Sequence, residues 1–328
     1  MAHASDERVA EDGVACRWRL AENGIALKSP RDCRDYMSMG SRGLDAIVEW
    51  AISAEGVWSR KGLVTFPTLR VGKEGPGVNS TRGSWRVPFG PACSPQVNGK
   101  LLSDGSVASV RIGSMLRVEI AHDEGLMEIR EIFPANTALA LLERVELHNV
   151  SEQVLEIVPP VAGETSCATG VFGRVVCEQR VFGPPAARLA PGGELAYVHC
   201  VSGRGENDAP YVPDVETERA ARQARWALAA STLVLETPVP ELDRMFLNAK
   251  FHTLECLYFT RGGIIHSPGG YGYLFREKGE TRFFSGDTLF AGSIGRTDFF
   301  DGDIEKIKIV YRVELPCSFE KEKKYEEQ

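Results

Sequence analysis

Between Leu116 and Ile129 the chain alternates apolar and polar positions with a period of two. Leu116, Val118 and Ile120 are interleaved with Arg117 and Glu119. The run His122-Asp123-Glu124-Gly125 carries turn residues, and Met127 and Ile129 continue the alternation on the return. Successive side chains of a strand point to opposite faces, so this stretch predicts a hairpin with Leu116, Val118 and Ile120 on a buried face. A second hairpin is expected in LLERVELHNVSEQVLEIVPP, where Val145 and Leu147 share a face, residues 148–152 turn, and residues 154–158 return. From Cys16 to about Val201 the chain reads as half-buried strands, and this length favours two stacked antiparallel sheets.

The period changes after residue 203. GRGENDAPYVPD reads as a loop. Glu216 to Ala230 is rich in Ala and Arg and predicts a helix with its arginines on a solvated face. Ser231 to Glu236 predicts a short strand. Leu242, Met245, Phe246, Ala249, Thr253, Cys256 and Leu257 then recur at helical spacing, and Phe251, Leu254 and Tyr258 add a second apolar side. A long helix buried on two faces is expected, opened by Pro238, Pro240 and Asp243 and stopped by Gly262-Gly263. YGYLF and TRFF read as a strand pair beyond it.

The expected fold class is therefore mainly β. A disordered leader is expected over residues 1–14, and a two-layer antiparallel β-sandwich over residues 15–202. A loop, helical linker and short strand fill residues 203–236. The long helix and a Gly-rich turn fill residues 237–270, and a small αβ tail residues 271–328.

Composition narrows the function classes. A chain of 328 residues with 25% charged and 43% apolar residues is that of a globular protein with a substantial core. The formal charge of −7 argues against a nucleic-acid partner, because phosphate binding draws on clustered Lys and Arg. No apolar run approaches the roughly 20 residues of a membrane-spanning helix. The polar, acidic start MAHASDERVAEDGVA lacks the apolar centre of a secretory signal, so a cytoplasmic location is expected and no membrane partner. The eight cysteines include no C-x-x-C pair and are expected as buried thiols in a reducing compartment.

Three stretches, in order, carry a resemblance over about residues 30–270. LDAIVEWAISAEGVWSRKGLVTFPTLR, VELHNVSEQVLEIVPP and LETPVPELDRMFLNAKFHTLECLYFTRGGIIHSPGG resemble the N-terminal part of bacterial six-hairpin glycosidases, the (α/α)6-barrel enzymes that include glycogen-debranching and rhamnosidase-like members. The resemblance implies a supersandwich-like β-domain, a helical linker and entry into a first barrel helix. It implies a carbohydrate-active module with a glycan as partner. In that family the paired carboxylates of glycoside hydrolysis lie in the barrel, which this chain does not continue into. Glu255, Asp287, Asp298 and Asp301 are the acids near that junction.

A shorter stretch, FSGDTLFAGSIGRTDFFDGD within about residues 265–303, resembles the segment of glyoxalase-II-like metallo-β-lactamase-fold hydrolases that carries a metal-bridging aspartate. The resemblance implies Asp287 as that ligand and His266 as a second, in HSPGG, a stretch that the glycosidase resemblance also claims. The alternatives are therefore a zinc-dependent hydrolase with an incomplete site and an inactive fusion of two family fragments. That family adds an H-x-H-x-D-H cluster and a further downstream His. The six histidines here are His3, His122, His148, His199, His252 and His266, with no two close in sequence. Two ligands fall short of the three of catalytic zinc sites, so no cofactor is expected unless this segment alone holds zinc. His148 and His199 are expected as ordinary strand residues.

The loop VNSTRGSWRVPFG supplies the candidate glycan contacts, Arg82, Trp85, Arg86 and Phe89, in which aromatic faces and planar donors suit a sugar. The competing reading has Trp85 packed over a sandwich edge.

Overall fold

The computed structural model describes residues 17–71, 84–90, 94–161 and 163–260, together with the backbone of five short strand segments between residues 263 and 294. Side chains are described through residue 257. Among the described residues the fold is mainly β, with antiparallel sheets and two helices.

The first strands are β1 (Trp18–Ala21), β2 (Gly24–Leu27), β3 (Cys33–Ser41), β4 (Leu44–Ile52), β5 (Trp58–Arg70) and β6 (Ser84–Phe89). Then come β7 (Gln96–Val97), β8 (Lys100–Leu101), β9 (Ser106–Ile112), β10 (Leu116–His122), β11 (Leu126–Pro134) and β12 (Ala140–Asn149). The last strands before the helices are β13 (Leu155–Val158), β14 (Gly163–Gly170), β15 (Gly173–Phe182), β16 (Ala187–Leu189) and β17 (Glu194–Gly205). Helices α1 (Val215–Ser231) and α2 (Pro240–Glu255) follow. Three strand pairs lie further on: β18 (Leu257–Thr260) with β19 (Gly263–His266), β20 (Tyr273–Glu277) with β21 (Glu280–Phe284), and β22 (Leu289–Phe290) with β23 (Ser293–Ile294). The second of these is the pair expected from YGYLF and TRFF.

A nine-stranded sheet runs in the order β1-β2-β9-β10-β11-β12-β17-β15-β14. Two four-stranded sheets, β3-β4-β5-β6 and β16-β13-β7-β8, cover one of its faces. Each encloses its own core. The larger holds Met39, Trp50, Val64, Phe66 and Phe89 against Leu116, Val118, Ile132 and Leu141. The smaller joins Val97, Leu155, Ile157 and Leu189 to Val145, Leu147, Leu195 and Tyr197. Helix α1 closes part of the opposite face over Phe133, Leu142, Val198 and Cys200, with Tyr211 and Val215 at its entry.

The hairpin β10–β11 forms as the alternation predicts. Leu116, Val118 and Ile120 are buried, and Gly125 turns the chain at φ +75°, a conformation that favours glycine. On β11 the pattern inverts. Register places Glu128 opposite Ile120 and Arg130 opposite Val118, so the buried face takes the charges while Met127 and Ile129 lie on the other face. The buried charges pair with each other and along the sheet, Glu128 with Arg130 and His122 and Arg130 with Glu143.

Residues 140–158 do not form the expected hairpin. β12 pairs with β11 and β17, whereas β13 crosses to the other layer and pairs with β16 and β7. Buried Asn149 fixes this corner: its amide donates to the carbonyls of Gln153 at 2.7 Å and Leu189 at 2.9 Å, and its Oδ1 accepts from the Ser151 amide at 3.0 Å. Residues 231–236 form no strand. The Lys250 ammonium takes the carbonyls of Ala229, Thr232 and Leu233, which holds this connection against α2.

Asp214 caps α1, accepting from the Thr217 amide at 3.2 Å and its hydroxyl at 2.8 Å. Pro240 opens α2, and Asp243 binds back to Thr237. The expectation of two buried faces on α2 is not met among the described residues. Phe251 and Glu255 are buried, while Leu242 and Met245 are exposed. Neither helix is long and apolar enough to cross a membrane.

Leu116 is fully buried in the larger core. Leu116→Ala is expected to destabilise the fold by roughly 2–5 kcal/mol, read from urea denaturation midpoints with an unchanged slope.

Candidate functional site

Three groups of ionisable side chains follow from this layering. The first lies inside the sandwich, on the inner face of the nine-stranded sheet. Register flanks Arg130 with Val118 of the larger core and Val145 of the smaller, and flanks Glu143 with Ile132 and His199. The charges thus sit where the two cores meet. Arg60 reaches across from β5: its Nε donates to Glu143 Oε1 at 3.0 Å, and its Nη2 pairs with Oε2. Arg130 Nη1 donates to the same Oε1 at 3.0 Å. Glu128 accepts from Arg130 at 2.5 Å and contacts His122 Nε2 at 2.9 Å. The Arg60 guanidinium lies 3.7 Å over the Phe89 ring, which stacks on His199. Burial alone would raise the Glu143 pKa. The adjoining Arg60 and Arg130 guanidinium groups, with bonds from His199 and Arg60, hold it well below the ordinary carboxylate value. Two arginines face two glutamates in this network. It is a structural clamp between layers.

The second group ties the helices down. Buried Glu218 accepts from the Asn136 amide at 2.6 Å, the Thr137 amide at 3.3 Å, the Tyr211 hydroxyl at 3.2 Å and the Thr137 hydroxyl. Arg219 holds Glu131 at 2.7 Å. Arg222 is fully buried, donating to the carbonyls of Ser114 at 2.7 Å and Gly40 at 3.1 Å and pairing with Glu255. The expectation of solvated arginines on this helix is corrected here, because the helix crosses a sheet edge whose carbonyls need donors. Glu255 also accepts from the Gly40 amide at 3.3 Å and meets His252 at 3.1 Å. A Cβ on residue 40 would come within 2.7 Å of the Glu255 carbonyl oxygen, so glycine is required. The hydrogen bond to Glu255 raises the His252 pKa above its ordinary value.

The third group is open to solvent, on the outer face beyond α1. Glu146 and His148 are two residues apart on β12, and Glu194 of β17 stands directly across from His148. His148 Nε2 is 2.9 Å from Glu146 Oε1, and its Nδ1 is 3.7 Å from Glu194 Oε2. One ligand atom from each of the three residues lies within 4.8 Å of the other two. Burial raises the Glu146 pKa, and the hydrogen bond and charge of Arg144 more than offset this, keeping it ionised.

The structure separates the residues singled out from sequence. Residues 84–89 are a strand, with Trp85 and Phe89 pointing into the core and Arg86 on the exposed face. Trp85 packs against Phe66 at a ring separation of 6.2 Å. The set Arg82, Trp85, Arg86 and Phe89 is therefore not brought together as one surface; Arg82 lies outside the described residues. His266 ends β19 with its side chain outside the described set, and Asp287, Asp298 and Asp301 lie outside it too. Of the described cysteines, Cys177 and Cys200 are buried, Cys33 and Cys256 half-buried, and Cys167 is exposed; all five are free. No protein-family model and no curated protein matches this chain.

Removing Arg60 leaves Glu143 short of a partner in a buried site. Arg60→Met is expected to cost about 3–5 kcal/mol, and the double variant Arg60→Met/Glu143→Met less than the sum of the two singles, measured by chemical denaturation. Because the folded pKa of Glu143 is depressed, its contribution is present above the ordinary carboxylate value of 4.5 and is lost as pH falls through the folded value. His252 has the opposite sign. Its raised folded pKa gives stability that is full below 6.5 and lost as pH rises through the folded value. The melting-temperature difference between the parent chain and His252→Gln should therefore shrink on going from mildly acid to alkaline buffer.

Proposed function

We propose that the chain is a carbohydrate-binding β-sandwich module, the non-catalytic front part of a glycoside-hydrolase-type protein, and that glycan docks on the outer face of β3–β6. One observation carries the site. Tyr36, 68% exposed, stands on this face beside Ile47 and Leu63, which are also exposed. Register sets Ser38, Ile47, Leu63 and Pro88 in one row across the four strands. Tyr36, Glu49 and Lys61 form the row on one side, and Asp45, Thr65 and Arg86 the row on the other. A flat apolar strip with an aromatic ring and rows of charged donors and acceptors suits the apolar face and hydroxyl rim of a sugar.

The succession of sandwich, linker helix and second helix supports the same reading, since it is the order that the glycosidase resemblance implies. Glu255, the acid nearest the position where catalytic machinery would begin, is held by Arg222 in a buried pair and serves packing. Free thiols fit a reducing compartment, and we assign the module to the cytoplasm.

The test pairs binding with turnover. In affinity electrophoresis against α-glucans and rhamnose-containing polysaccharides, the chain should be retarded by at least one. Tyr36→Ala and Arg86→Ala should abolish the retardation at unchanged melting temperature, because both side chains are exposed. Aryl-glycoside hydrolysis should stay at background. Absence of retardation across the panel defeats the proposal, as does turnover that Glu255→Gln removes from a folded chain.

A further inference from the structure

We propose that Glu146, His148 and Glu194 form a binding site for a borderline divalent cation of the zinc class on the outer face of β12 and β17. Three ligands from two adjacent strands converge there. His148 and Glu194 are cross-strand partners, and Glu146 precedes His148 by two residues, which puts all three on one face. One imidazole and two carboxylates are the donor types that zinc and its neighbours accept. Around a tetrahedral zinc with bonds of about 2.1 Å, donor atoms stand about 3.4 Å apart. An imidazole gives one nitrogen to one ion: His148 Nε2 stands 2.9 Å from Glu146 Oε1, Glu194 Oε2 lies 3.7 Å from Nδ1, and one ligand atom from each residue lies within 4.8 Å of the other two. Glu194 has a side chain 68% exposed, so its rotation closes what remains.

Two independent details point to a cation. The first concerns His148 Nε2, which is shielded from solvent and, among the described residues, makes no directed hydrogen bond although Glu146 Oε1 is 2.9 Å away. That oxygen lies off the axis along which the nitrogen bonds. Nitrogen and oxygen therefore stand side by side, as two donors to a third atom do. The second is the treatment of Glu146. Arg144 binds its Oε2 and is itself held by Glu216 of α1 at 2.9 Å, leaving Oε1 for the site. Partners of this kind orient a ligand and keep it ionised. Glu216 also offsets the Arg144 charge beside the cation. Three protein ligands leave at least one coordination position to water, the arrangement of an exchangeable or catalytic zinc rather than a closed structural one.

The experiment uses the full, tag-free chain stripped with chelator and titrated calorimetrically with zinc chloride. The parent chain should bind one equivalent. His148→Ala and Glu194→Gln should each weaken that equivalent by at least about tenfold, while the double variant His266→Ala/Asp287→Ala retains it. Cobalt should give visible absorption bands that disappear in the same two variants. On the unaltered chain, zinc should protect His148 from diethyl pyrocarbonate modification, read by peptide mass spectrometry, so the outcome does not rest on variant folding. A parent chain that binds no zinc overturns the proposal, as does an equivalent that survives in both His148→Ala and Glu194→Gln, or a His148 modified equally with and without zinc.

Discussion

The bond between Arg60 and Glu143 is what makes two layers one molecule. Each sheet could bury its apolar face against many partners, and hydrophobic contact alone does not choose the register between layers. A carboxylate fully removed from water, answered by one guanidinium from the facing layer and one from its own, does choose it. Any slide of β5 over β12 by one residue would leave Glu143 uncompensated, and breaking such a pair is far more costly than never having built it. The position of the pair, where the larger and smaller cores meet, also explains why one long sheet can carry two short ones side by side. Charge fills the line where their apolar surfaces stop.

The same constraint set the limit of what the chain pattern disclosed. Period-two alternation identified the strands and the buried face of β10, because there the rule of apolar inside and polar outside holds. It failed on β11, where Glu128 and Arg130 occupy the inside. Nothing local distinguishes a buried Arg130 from a solvated one; the difference is made by Glu143, thirteen positions on, and by Arg60 in another sheet. The crossing of β13 was illegible for a related reason. Asn149 in a polar run reads as a turn of any kind, and only its bond to the distant Leu189 carbonyl turns it into a corner between layers.

The site residues divide along the same line. Trp85 and Phe89 attracted attention as aromatics in a polar context, yet strand alternation sends both into the core and leaves Arg86 outside. Tyr36, Ile47 and Leu63 carried no motif, since they become neighbours only through sheet pairing. Glu146 carries no motif and His148 reads as an ordinary strand residue, while Glu194 is supplied by a strand 46 positions away. Histidine counting along the chain looks for ligands close in sequence and overlooks one completed by a neighbouring strand.

The close approach at Gly40 bears on which motions the protein permits. Arg222 and Glu255 both reach the backbone of that one residue, so α1, α2 and the end of β3 share a single attachment. For α1 to swing away, the buried Arg222 must shed two backbone carbonyls and a carboxylate together; for α2, Glu255 must shed that guanidinium and the Gly40 amide. Partial opening there exposes ionised groups without satisfying them, which places the helices at the high end of the local-unfolding scale. Fluctuations should therefore run through the open end of α2 around Leu242 and Met245. Amide exchange would grade along a single helix, fast at its first turn and slow at its last.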